Sequence, residues 1–115
     1  MAYTTIDKSS DYFDTKLYTG NGGTQSITGL DFQPDWVWIK SRSNATEHSQ
    51  FDAPRGATKM IASSTFEQEQ TVANMLTSFN SDGFSLGSYS SVNGNGYSQV
   101  SWNWKGGTTS GIATN

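Results

Sequence analysis

The chain has 115 residues, a formal net charge of −3 and 15% charged residues, which is the length of one domain and too little charge for a long solvated helix or a phosphate-binding stripe. Its hydrophobic fraction is 33% while its aromatic fraction is 13%, with 4 Trp, 5 Tyr and 6 Phe, so a folded core must rest on a few large rings. The absence of cysteine excludes a disulfide framework, a thiolate metal site and a cysteine nucleophile, and a single His excludes a histidine-built zinc or iron centre.

With 17 Ser, 14 Thr, 12 Gly and 8 Asn, nearly half the chain consists of turn formers and β-compatible hydroxyl residues, and the fold class they imply is all-β. No run reaches the ~18 apolar residues of a membrane span, and an acidic balance disfavours phosphates, so neither membrane insertion nor nucleic-acid binding is expected. Met1 to Asp14 lacks the basic and apolar regions of a secretory signal, so no Sec export is implied.

Residues 1–15 read as a solvated N-terminal arm, 16–105 as a β-sandwich and 106–115 as a flexible Gly/Thr/Ser tail, which suggests a longer protein. Lys16 to Thr19 and Thr24 to Thr28 flank Gly20-Asn21-Gly22-Gly23 and read as a hairpin. After the turn Gln33-Pro34-Asp35, Trp36 to Lys40 is apolar on both alternating faces, as in a central strand. Residues 41–58 form the longest loop candidate, with Phe51 as its one large apolar anchor, and Lys59 to Ala62 is the next strand. The spacing of Val72, Met75, Leu76 and Phe79 fits a bulged strand or a short helix. Asn80-Ser81-Asp82-Gly83 predicts a hairpin leading into Phe84 to Gly87, and Asn93-Gly94-Asn95-Gly96 a second tight turn.

Gln99 to Trp104 alternates strictly, with Val100, Trp102 and Trp104 on one face and Gln99, Ser101 and Asn103 on the other. Strands at about ten-residue spacing with Gly/Asn/Asp turns predict two antiparallel sheets, with Trp36, Trp38, Phe84, Leu86, Trp102 and Trp104 as the core between them.

The motifs that carry chemistry each have a plainer reading. Asn44-Ala45-Thr46 matches a glycosylation sequon but reads as an ordinary loop. Glu47, His48, Ser49, Asp52 and Arg55 assemble hydrolytic residue types without a nucleophile elbow, and the favoured reading pairs Asp52 with Arg55, followed by Gly56, to brace a loop. Glu67 and Glu69 share a face if extended, as glycosidase carboxylates do, yet such pairs are common in polar strands. Asn80, Asp82, Asn93 and Asn95 are oxygen-rich, but their spacing is not that of a calcium loop. Gly20-Asn21-Gly22-Gly23 lacks the third glycine of a dinucleotide loop and the Gly-Lys-Ser/Thr of a phosphate loop. No metal, cofactor or catalytic residue is therefore assigned. Tyr89 and Tyr97, with Asn93 and Asn95, are the candidate ligand-binding tip, because sugars stack on aromatic rings and bond to amides.

Five blocks in order, LYTGNGGTQSITG (17–29), QPDWVWIKSRS (33–43), DAPRGATK (52–59), SFNSDGFSLGS (78–88) and VNGNGYSQVSWNWKGG (92–107), resemble a module of virion structural proteins from tailed bacteriophages, especially marine and cyanobacterial ones. The opening MAYTTIDKSSDYFDTKLYTG also looks like the N-terminus of such proteins, where this module commonly precedes further domains. The resemblance implies a concanavalin-like β-sandwich (jelly roll) in a tail fibre, head fibre or capsid decoration protein, without enzymatic activity. It also implies a virion location after assembly in the host cytoplasm, other virion proteins as partners and a homo-oligomeric state. A carbohydrate-binding module for host surface glycans is the alternative expectation.

Overall fold

The computed structural model describes residues 8–106 as an antiparallel β-sandwich. Its strands in chain order are β1 (Phe13–Thr19), β2 (Gln25–Ile27), β3 (Trp36–Ser41), β4 (Ser49–Asp52), β5 (Lys59–Ala62), β6 (Gln70–Thr71), β7 (Leu76–Asn80), β8 (Gly83–Leu86) and β9 (Ser98–Trp104). One sheet has the order β1-β9-β3-β4-β5-β6, and the other β2-β8-β7. A four-residue helix, α1 (Ser90–Asn93), and a 3-10 turn at Ser9–Asp11 are the helical elements among the described residues.

Several sequence-based expectations meet the structure directly. Lys59–Ala62 is β5, and Asn80 pairs with Gly83 across the tight turn that joins β7 to β8. A register irregularity between Leu76 and Ser78 in β7 makes this segment the bulged strand rather than the short helix that its apolar spacing also fitted. The supposed loop 41–58 contains β4, a strand with one buried face, on which Phe51 points into the core.

The segment around Gly20-Asn21-Gly22-Gly23 is not a hairpin. β1 pairs with β9 and β2 pairs with β8, so this segment carries the chain from one sheet to the other. It docks on the α1 region through Gly20 N–H to Tyr97 O (2.9 Å) and Gly22 N–H to Asn93 O (2.8 Å). Residues 13–15, read as part of an arm, already belong to β1, where Phe13 pairs with Trp104 and Thr15 with Trp102. Of the tail read at 106–115, residues 107–115 lie outside the described residues.

The core is formed by Val37, Ile39, Phe51, Met60 and Ala62 from the large sheet, Ile27, Leu76, Phe84 and Leu86 from the small one, and Met75 and Val92 from the connections. Phe84 and Leu86 are thus core residues. Trp36, Trp38, Trp102 and Trp104 are not. In β3 the buried positions are Val37, Ile39 and Ser41, and register places them beside Asn103, Ser101 and Gln99 of β9. The polar side of β9 therefore faces inward, and its tryptophans face outward with those of β3.

Inversion is tolerated because part of this polar layer is hydrogen-bonded: Asn103 Nδ2 donates to Asp14 O of β1 (3.1 Å) and to Ser101 Oγ (3.0 Å). The layer is shut off from water, Gln99, Ser101 and Asn103 being buried, so its polar atoms need partners within the protein. The same layer carries a cost, since both amide atoms of Gln99 and the Asn103 oxygen find no protein partner.

Tyr18 projects from β1 toward the interior and donates its hydroxyl to Val92 O at 2.7 Å. Burial pushes its ionisation well above the ordinary value of 10.0. A raised folded-state value means that Tyr18 contributes its full stability below the unfolded value and loses it as pH climbs toward the folded one. The unfolding temperature should therefore fall from about pH 10 upward, and Tyr18→Phe should flatten this decline. Thermal melts between about pH 9 and pH 11 on both proteins check this; equal alkaline slopes would assign the decline to other groups.

Candidate functional site

Because β3 and β9 turn their tryptophans outward, the exposed face of the large sheet is an aromatic platform. Cross-strand pairing sets Trp36 beside Trp104 and Trp38 beside Trp102. Trp36 and Trp104 stack with centroids 4.4 Å apart and planes at 23°, and Phe13 on β1 continues the row 5.1 Å beyond Trp104. Trp38 meets Trp102 edge-on at 5.7 Å, and its indole N–H donates to His48 Nδ1 at 3.1 Å, which leaves the proton of a neutral imidazole on Nε2. A shallow apolar depression of about 230 Å³ lies among Trp38, Trp102 and Trp104. Leu17, 63% exposed, and Trp36, 37% exposed, mark how far this face reaches into solvent.

A larger open cleft, about 600 Å³, lies on the other flank of Trp36, over β4 and β5. Its apolar walls are Trp36, Pro54 and Ile61, and its polar groups are Asp35, Gln50, Asp52 and Arg55. Strand order explains the assembly: Asp52 is the cross-strand partner of Trp36, and Ile61 that of Gln50.

Arg55 is fixed at the edge of this cleft. Its Nε donates to Asp52 Oδ2 at 2.6 Å and its Nη1 to Glu69 Oε1 at 3.1 Å, while its backbone N–H donates to Asp52 Oδ1 at 2.9 Å. Partial burial lowers the guanidinium's proton affinity, but the bonds to Asp52 and Glu69 outweigh it and raise the balance. Gly56 follows with φ +109°, a left-handed conformation that favours glycine, and its N–H donates to Asp52 O at 3.1 Å.

Over residues 8–115 the chain matches a domain family described as a domain of unknown function, DUF7483. The chain belongs to the DUF7483 family. No curated protein and no solved structure matches it.

In this DUF7483 domain the residues of the expected ligand-binding tip part company. Tyr89 and Asn95 are exposed, but Tyr97 lies half-buried with its ring against Gly94, where an added Cβ would collide with it. Asn93 is fully buried, contrary to its reading as a surface ligand, because its amide is engaged inside the domain. Nδ2 contacts Asn21 Oδ1 (2.9 Å), Gly23 O (2.8 Å) and Gly87 O (3.0 Å), and Oδ1 accepts from Asn21 N–H (3.0 Å).

The hydrolytic residue types do not converge either. Ser49 is buried on the inner face while His48 binds Trp38 on the outer one, and Glu47 accepts from Ser64. Glu69 is tied to Arg55. Asn80 is occupied by Ser78 and Ser85 within its hairpin. Among the described residues, no group of three or more His, Asp or Glu side chains is arranged to hold a metal ion. Sequence reading missed the cleft because Asp35, Gln50, Arg55 and Ile61 share no motif, and β3, apolar on both faces, does not reveal which of its side chains face outward.

Proposed function

We propose that the chain is a non-enzymatic structural module of a bacteriophage virion, part of a fibre or another appendage, that attaches to copies of itself and to neighbouring virion proteins. A capsid decoration protein would use the same surface at another place on the particle. The resemblance of the five sequence blocks supports the virion setting. The observation that carries the attachment reading is β1: a seven-residue edge strand that presents Phe13 and Leu17 on its exposed side. Long edge strands with exposed apolar side chains are templates for pairing with another chain. Repeated virion parts are symmetric, so one such edge is used many times. Phe66, 99% exposed between β5 and β6, offers a second apolar contact.

Light scattering on the purified chain tests this. The expected result is a stable oligomer that Leu17→Asp converts to monomers with an unchanged circular-dichroism spectrum, because Leu17 lies outside the core. A wild-type chain that stays monomeric at all accessible concentrations would remove β1 as a self-assembly edge.

A further inference from the structure

The cleft beside Trp36 combines an apolar ring with hydrogen-bonding groups that the fold leaves unspent. The Trp36 indole stacks on Trp104 at 4.4 Å and lies nearly parallel to Trp38 at 6.3 Å, so the ring cannot turn freely. Its other flank looks across β4, where Asp52 is its strand partner, toward Gln50 and Ile61 on β4 and β5. Among the described residues, the side chains of Gln50 and Asp35 make no hydrogen bond. Asp52 and Arg55 are locked to each other at 2.6 Å, and Glu69 takes Arg55 Nη1, which leaves Nη2 and carboxylate lone pairs directed by a rigid pair. The site is thus preorganised, with little ordering cost on binding.

We propose that this cleft binds a neutral pyranose, its C–H face stacked on Trp36 and its hydroxyls bonded to Asp35, Gln50 and the Asp52–Arg55 pair. The chemistry selects this ligand class. A flat ring next to an apolar side chain calls for a ligand with an apolar face, whereas carboxylate and amide groups around it call for many hydroxyl donors. Asp35, Asp52 and Glu69 outnumber Arg55, so a phosphate or an acidic sugar is repelled. The surplus of carboxylates would attract an organic cation, but one ring facing the cleft is not the aromatic cage that such a cation favours. This inference goes beyond the attachment reading and does not depend on it, because the cleft lies over β4 and β5 while the assembly edge is β1.

A site of this kind holds a single hexose with a dissociation constant of about 1 mM, and longer neutral glycans more tightly. The test is a titration of the full chain with glucose, galactose, mannose, N-acetylglucosamine and their neutral oligomers, followed by tryptophan fluorescence and by NMR of the Gln50 side-chain amide. N-acetylneuraminic acid and tetramethylammonium serve as the charged comparisons. Saturable binding of a neutral sugar is expected, weakened at least tenfold by Trp36→Ala and severalfold by Gln50→Ala, with Tyr89→Ala unchanged. Gln50→Ala keeps the test decisive if loss of Trp36 disturbs folding, since Gln50 lies on the outer face and packs nothing in the core. The proposal is overturned if no neutral saccharide binds, if only a charged comparison ligand binds, or if binding survives both cleft substitutions. Light scattering repeated with the sugar separates the two readings, because an unchanged mass leaves the assembly edge standing whatever the cleft does.

Discussion

Asn93→Ala should destabilise the domain by about 3 kcal/mol, a large share of the ~5 to 15 kcal/mol that holds a small domain together. The buried amide of Asn93 joins three separate pieces of chain: the β1–β2 connection at Asn21 and Gly23, the end of β8 at Gly87, and α1 itself. Truncation strands Gly87 O where water does not reach and takes the partner from Gly23 O and Asn21 N–H at the more exposed β1–β2 connection, and each lost bond costs about 1 kcal/mol. The neighbouring bonds of Gly20 to Tyr97 and Gly22 to Asn93 depend on the same docking, so the loss propagates along the connection between the sheets. Urea denaturation with the slope held in common measures it. A loss under about 1 kcal/mol would mean that this amide is not the tie that its geometry describes.

Phe51→Ala should cost about 3 to 5 kcal/mol, since its fully buried ring would leave a cavity between the sheets. Leu17→Ala, on the opposite face of the same sheet and 63% exposed, should stay within about 0.5 kcal/mol. Trp36→Ala should fall below Phe51→Ala although its ring is larger. The Trp36 side chain is 37% exposed, and its removal opens a space to solvent rather than enclosing one. The order Phe51, Trp36, Leu17 in a set of thermal or urea melts is the signature of a core on the inner face of β4. A tryptophan substitution costing more than Phe51→Ala would reverse the assignment.

Element positions were legible where side-chain alternation met a turn signal. β5 and the β7–β8 hairpin fall where Lys59 to Ala62 and Asn80 to Gly83 put them, and the strict alternation of Gln99 to Trp104 marks β9. Which side of that strand faces inward was not legible. Apolar patterning assigns Val100, Trp102 and Trp104 to the core, and β3, apolar on both faces, gives no contrary sign. Hydrogen bonds from Asn103 to β1 and to Ser101 support the opposite orientation, and these are tertiary facts that no local pattern encodes. Asn93-Gly94 illustrates the same limit: the dipeptide signals a turn, whereas the role of Asn93 depends on acceptors some seventy positions away. Of the candidate site, Asp52 with Arg55 was legible from its local spacing. The cleft was not, because sheet order alone brings Asp35, Trp36, Gln50 and Ile61 together.

The outward orientation of the four tryptophans underlies both the aromatic platform and the cleft, and acrylamide quenching of the native protein tests it most directly. The account predicts substantial quenching of the indole emission before any unfolding, with a further rise in denaturant that is modest. Native emission that resists the quencher, and becomes sensitive only when the chain unfolds, would return the tryptophans to the core and contradict it.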